Sequence, residues 1–192
     1  MPEAAIRHAD PQCDAADCAR IYAPYVAASA ISFEDDAPGA AGMAERIETA
    51  TAAYAWLVSE DADGRVSGFA YAGQHRSRSA YRWAVDVSVY VDGRHHRGGV
   101  GRRLYSTLFE LLARQGLRVA CAGITVPNDA SIALHRSLGF ESIGVYRAIG
   151  WKLGAWRDVS WWQLRLGPEE DGEPADPIGP QRLVDRPPGV VG

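Results

Sequence analysis

Lysine is nearly missing from this chain: Lys152 is the single one, and the other basic residues are arginines. Such a bias can serve anion recognition, but the many Ala and Gly alongside it point to coding bias as its source. Positive charge is not in excess either. Twenty basic side chains face 24 acidic ones, for a net charge of −4, which argues against a nucleic-acid partner. No stretch approaches the roughly 20 apolar residues of a spanning helix, and no basic start followed by an apolar run marks a secretory leader. No membrane partner is expected. Cys13, Cys18 and Cys121 cannot all pair, and no second Cys/His pair completes a zinc pattern. Free thiols in a reducing, cytoplasmic compartment and no metal are the expectation. What the chain does have is 192 residues with 47% hydrophobic composition, enough for one domain with a real core.

Residues 167–192 are rich in Pro, Gly and acid and poor in large apolar side chains. Such a segment cannot offset its ordering entropy with a core, so a folded part at 1–166 and a disordered tail at 167–192 are predicted. Within 1–166 the periodicity switches repeatedly. Strands are predicted at 4–7, 54–60, 65–74, 83–91, 118–125, 140–147 and 156–166. Helices are predicted at 14–28, weakened by Pro24, and at 43–53, 99–115 and 129–138. Residues 61–64 read as a hairpin turn. The interleaving predicts an α/β domain with a mixed sheet and helices on both faces.

The strand at 83–91 alternates strictly: Val85, Val87, Val89 and Val91 point one way, and Asp86, Ser88 and Tyr90 the other. A glycine-rich turn follows, with Arg97, Gly98, Gly99, Val100, Gly101 and Arg102, and then a helix striped by Val100, Leu104, Leu108 and Leu111. Glycines there let backbone approach a ligand. The free N–H groups and dipole of the helix make an anion site suited to a phosphate or pyrophosphate. The Gly-Lys-Ser/Thr ending of a nucleotide-hydrolysing loop is missing, and Leu104 breaks a full dinucleotide fingerprint.

These pieces resemble the GCN5-related N-acetyltransferase (GNAT) superfamily, whose Q/R-x-x-G-x-G/A turn is matched by 96–101, with His96 in the first place. The likeness narrows to the phosphinothricin and methionine sulfoximine acetyltransferases at Ile31-Ser32-Phe33-Glu34, Phe69-Ala70-Tyr71-Ala72-Gly73, Ser88-Val89-Tyr90-Val91, Pro127-Asn128-Asp129, Leu134-His135 and 150–159. It covers nearly all the chain except the tail. The resemblance implies the GNAT fold, with a central, mostly antiparallel sheet flanked by helices, acetyl-CoA as co-substrate, a small-molecule amine as acceptor and a homodimer.

The same resemblance implies roles for individual residues. Asp86 stands where the family has a Glu general base; being one methylene shorter, it is expected to act through a water. The Val89 amide would polarise the thioester carbonyl, while Val89, Tyr90 and Val91 would pair with the pantetheine arm like an added strand. The turn residues 97–102, Asn128 and Ser131 would hold the rest of the coenzyme. His135 matches a histidine proposed as catalytic, and Tyr105 is a second candidate for protonating the leaving thiolate. Phe33, Glu34, Arg78 and Tyr81 would wall the acceptor, an arginine suiting an α-carboxylate. The four tryptophans at 151, 156, 161 and 162 read as core or subunit interface. Two rivals stay open: a GNAT enzyme for another amine (an aminoglycoside, a polyamine or a protein N-terminus), and a non-catalytic acyl-CoA-binding module.

Overall fold

The computed structural model describes residues 5–167, 172 and 174–181. Seven strands form one sheet in the order β1-β2-β3-β4-β5-β7-β6: β1 Ile6–His8, β2 Trp56–Glu60, β3 Val66–Gln74, β4 Ala84–Val91, β5 Val119–Val126, β6 Glu141–Lys152 and β7 Ala155–Arg165. Every neighbouring pair is antiparallel except β4 with β5. The helices are α1 Pro11–Ala27, α2 Ala40–Thr51, α3 Val100–Arg114 and α4 Asp129–Ser137. This is the expected mixed α/β layering.

The alternation of β4 divides two cores. Val85 and Val87 pack with Leu104, Tyr105 and Leu108 of α3, whereas Tyr90 joins Tyr22, Val26, Met43 and Ile47 of α1 and α2 on the opposite face. The buried stripe of α3 uses Leu112 where Leu111 was expected; Leu111 is half-buried. Helix α1 begins three residues earlier than predicted because Asp10 caps it, accepting from the Gln12 amide at 2.8 Å. Pro24 sits in its last turn without stopping it. The first strand is shifted to Ile6–His8, and residue 4 of the expected span lies outside the described residues.

The parallel β4–β5 ladder is short. Its pairs are Ala84 with Val119, Val85 with Ala120 and Asp86 with Cys121. Beyond Asp86 the two strands part, and a cleft opens in the middle of the sheet. β6 ends five residues later than expected, at Lys152, and it stays paired with β7 through two irregularities, at Ser142/Gly144 and Tyr146/Gly150. Part of the expected tail is docked: Ile178 donates its amide to the Gln115 carbonyl and accepts from Gln115 Nε2 at 2.8 Å, and Trp83 Nε1 donates to the Ala175 carbonyl at 2.9 Å. Backbone pairing of this kind orders a segment that lacks apolar side chains. The rest of the tail lies mostly outside the described residues.

Candidate active site

At the end of β4, Asp92 anchors the chain before the glycine turn. Its carboxylate accepts from Arg94 Nη2 at 2.8 Å, Arg20 Nη1 at 2.5 Å and the Arg94 amide at 3.0 Å, and the two guanidiniums hold it well below the usual carboxylate range. The turn then twists: Arg97 and Gly99 take φ of 62° and 75°, a region natural for glycine and strained for arginine. Gly99 starts α3 with no side-chain cap, so the amides of Val100, Gly101 and Arg102 are the free donors of the first turn. A Cβ on Gly101 would lie 3.4 Å from the Leu134 side chain and 3.6 Å from that of Val91. The missing side chain therefore seats α3 against β4 and α4. Arg102 and Arg103 bond backbone carbonyls, of Ser137 and Gly98, while Gly98, Gly99 and Arg97 are exposed.

Backbone alternation fixes which amides face the cleft. The Asp92 amide donates to Ser67 on the β3 side, and the Trp83 carbonyl accepts from Arg118 and Val119 on the β5 side. Val87, Val89 and Val91 therefore turn their amides toward β5, where that strand has departed. The Val91 carbonyl on that edge is already taken, by Tyr25 Oη at 2.6 Å and His96 Nε2 at 3.1 Å. His96 thus ties the turn to the strand end, and an extended ligand arm meets open amides at Val89 and Val91 but no open carbonyl at Val91.

Two cavities meet in the cleft. A small one of about 70 Å³ is lined on the α3–α4 side by Val89, Tyr105, Asn128, Ser131 and His135. A second, of about 380 Å³, lies on the α1–α2 side between Phe33, Tyr146, Ile149, Val159 and Trp161. Ile31, Gly123 and Thr125 line both. Gly123 carries no side chain at this junction, and its Cβ would lie 3.4 Å from Trp161 and Val159. A further cavity, about 820 Å³ between α2 and β2–β3, takes in Tyr90 alone of the expected site residues.

The sheet separates the expected catalytic residues. His135 and Tyr105 face the small cavity, ring centroids 5.3 Å apart. His135 Nδ1 lies 2.8 Å from the Ser131 carbonyl; a carbonyl can only accept, so Nδ1 carries the proton. Burial lowers the pKa of this ring, leaving it neutral with a lone pair on Nε2, a buried atom without a partner among the described residues. Burial also pushes the Tyr105 phenol far above its ordinary value, so it stays protonated. Asn128 caps α4, its Oδ1 accepting from the Ser131 amide at 3.1 Å.

Asp86 is on the other face, where its carboxylate pairs with a side chain: His75 Nδ1 lies 2.7 Å from Asp86 Oδ1. Burial raises the Asp86 pKa, and the His75 bond pulls it back. His75 packs edge-on against Tyr81 at 5.9 Å and Trp161 at 6.2 Å. Tyr81 therefore reaches the site through His75, while Arg78 is exposed beside it. Phe33 lies over Gly150, where a Cβ would meet the ring at 2.2 Å. Glu34 is engaged elsewhere. Its carboxylate takes both Arg46 nitrogens at 2.8 Å and Tyr22 Oη at 2.9 Å, and its carbonyl accepts from the buried Lys152 ammonium. It braces the loop rather than offering charge to a ligand. Of the tryptophans, Trp162 is core and Trp151 and Trp156 are exposed, but Trp161 walls the larger chamber.

His75, Cys121, Gly123 and Trp161 were not among the expected site residues. Their signal depends on register: Asp86 meets Gly73 and Cys121 across its two neighbours, which the strand pattern alone does not specify.

A glycine turn with free helix-start amides, a split parallel pair and cavities meeting at the split define an acyltransferase architecture. The acetyltransferase (GNAT) domain model matches residues 6–161. The chain belongs to the GNAT acetyltransferase family, and it is an acetyltransferase. It is 37% identical over 154 residues to the phosphinothricin N-acetyltransferase of Streptomyces viridochromogenes, covering 80% of this chain and 84% of that protein. It is 43% identical over 113 residues to the L-methionine sulfoximine/L-methionine sulfone acetyltransferase of Salmonella typhimurium, with 59% and 67% covered. Among solved structures, a phosphinothricin acetyltransferase from Sinorhizobium meliloti in complex with acetyl-CoA superposes with a TM-score of 0.85 at 36% identity, covering 90% and 93%.

Proposed function

We propose that this acetyltransferase moves the acetyl group of acetyl-CoA to the α-amino group of a small amino-acid analogue, of the phosphinothricin or methionine sulfoximine kind. The observation that carries this reading is the cleft between β4 and β5, because it joins a coenzyme face and an acceptor face through one opening lined by Ile31, Gly123 and Thr125. The names of the relatives support the acceptor class. The chamber volume of about 380 Å³ supports a small acceptor over an aminoglycoside.

In this reading the amides of residues 97–102 hold the pyrophosphate, and Arg97 and Arg102 add charge beside it. The Val89 amide polarises the thioester carbonyl. Asn128 and Ser131 border the thioester end, and Tyr90 contributes backbone alone, since its ring is core on the other face. The acceptor enters past Phe33, with Arg78 and Tyr81 at the rim, and loses its proton toward Asp86 and His75. The raised pKa of Tyr105 makes it a weaker acid than a thiol, so Tyr105 stabilises the departing thiolate by a donated hydrogen bond, and water supplies the proton. His135 serves through its Nε2 lone pair, as an acceptor. No helix among the described residues is long and apolar enough to cross a membrane. We place the protein in the cytoplasm, as a homodimer, with no nucleic-acid or membrane partner.

Thiol release from acetyl-CoA against a panel of amines tests the reading. Release with methionine sulfoximine or phosphinothricin, and none with kanamycin or spermidine, is expected. Silence with every amine despite tight coenzyme binding leaves a non-catalytic acyl-CoA module instead.

A further inference from the structure

His75 was absent from the sequence reading, yet it makes the one side-chain hydrogen bond of Asp86 among the described residues. The imidazole leans edge-on against Tyr81 and Trp161, which fix its plane, and its side chain is 15% exposed against 38% for Asp86. Trp161 also walls the proposed acceptor chamber, so the ring that bonds the carboxylate packs against a residue of that chamber's wall. The charged and titratable groups around it are Asp86 on β4, Cys121 on β5, the neighbouring Arg76, whose guanidinium lies over Trp161 at 5.9 Å, and Tyr81. Asp86 is shorter by one methylene than the glutamate expected at a base position. An imidazole bonded to it extends the reach of the pair by a ring. With the carboxylate accepting from Nδ1–H, the lone pair of the neutral ring is on Nε2, which has no partner among the described residues.

We propose that His75 Nε2 is the atom that takes the proton from the attacking amine, and that Asp86 acts as its positioning residue. This rests on the acetyl-transfer reading above. The amine nitrogen bonds the thioester carbonyl carbon, and its proton passes to Nε2. The carbonyl π pair moves to oxygen and returns as the carbon–sulfur bond breaks. The coenzyme thiolate takes a proton from water, and the imidazolium beside Asp86 returns its own to solvent. The balance is one amide and one free thiol per turnover.

The test compares His75→Gln, Asp86→Asn, their combination, and His75→Ala with Asp86→Glu. Each is measured by kcat/KM for methionine sulfoximine, by acetyl-CoA affinity and by thermal midpoint. His75→Gln is expected to lower kcat/KM by about 10²-fold, the usual size of a lost proton acceptor, with coenzyme affinity and midpoint kept. Asp86→Asn should fall comparably and the pair together no further, as for groups acting as one unit. Adding Asp86→Glu to His75→Ala should restore at least about tenfold of the loss, because the longer carboxylate then reaches the amine itself. A purely structural His75 would not be rescued that way. A His75→Gln enzyme within about threefold of wild type while Asp86→Asn collapses overturns the proposal and leaves Asp86 as the base. Nitrogen-15 spectra of the wild-type imidazole, read without turnover, should show the proton of the neutral ring on Nδ1; finding it on Nε2 also overturns the proposal. A wild type silent with every amine overturns the acetyl-transfer reading itself, and this proposal falls with it; that case is recognisable because no variant is needed to see it.

Discussion

Phe33 keeps its place through a residue far away in sequence. Its ring occupies the space in front of Gly150, where a Cβ would come within 2.2 Å of it, and Phe33 is 40% exposed, free to swing toward solvent. Gly150→Ala therefore displaces the ring at little cost in stability. The expected outcome is a rise of about tenfold in acceptor KM, in the range of a lost apolar contact of 1–2 kcal/mol, with acetyl-CoA affinity and thermal midpoint nearly unchanged. An unchanged KM would show that Phe33 does not touch the acceptor. Residues of this kind mark how far the sequence can be read. The glycine turn and the helix start behind it were legible because local glycines set both; its role as a phosphate site belongs to the proposal. The hydrogen-bonded pair proposed as the base was half legible: Asp86 announces itself as a carboxylate in a valine strand, but His75 gains its place only from a register that pairs Gly73 with Asp86. Glu34 shows the converse case. A carboxylate on that loop looks available until Arg46, 12 residues away on α2, is folded onto it.

At the level of elements, the junction of β4 and α3 depends on Asp92. Its carboxylate is buried, with two guanidiniums and an amide on it, and it sits immediately before the coenzyme turn. Arg94 is the largest cause of its depressed pKa, opposed by burial and aided by Arg20. A carboxyl whose folded value lies below its unfolded value stabilises the fold above the unfolded value, near 4, and loses that contribution as pH falls further. Urea midpoints should thus lose the Asp92 contribution below about pH 4.5, on top of the decline that the buried neutral His135 begins near the ordinary imidazole value. Asp92→Asn should cost about 1–3 kcal/mol at pH 7, the size of a hydrogen-bonded charge left unmatched, and should flatten part of the acid-side slope. Since the same group positions residues 97–102, acetyl-CoA affinity should weaken in that variant as well. Full stability with intact coenzyme binding would refute the anchoring role. The limits of β4 and α3 were readable because alternation and a 3.6 period both run to their ends there. The length of β6 was not: Ala148 at φ 48° and two register shifts break its period, and pairing with β7 is what carries it to Lys152.

For the molecule as a whole, the decisive feature is the free edge of the sheet. β6 is an outer strand, and long exposed edges normally carry charges or covers. This one carries Ile143, Val145, Ile149, Trp151 and, across the turn, Leu153 and Trp156, each at least half exposed. An apolar surface of that extent on one element is the mark of an interface. The same strand contributes Tyr146 and Ile149 to the acceptor chamber, so a second copy seated on the hairpin would also close the chamber's open wall. Light scattering should accordingly give twice the chain mass of 20.8 kDa. Replacing Ile143 and Trp151 together by Asp, neither of which lines the chamber, should yield a monomer, because each charge would have to be buried without a partner. If closure depends on the partner, that monomer should bind acetyl-CoA like the wild type while its acceptor KM climbs by about tenfold or more, the loss expected when one apolar wall is replaced by water. A wild type that runs as a monomer removes the interface altogether. A variant monomer with unaltered acceptor kinetics would keep the interface but sever it from the chamber, making each copy a complete enzyme on its own.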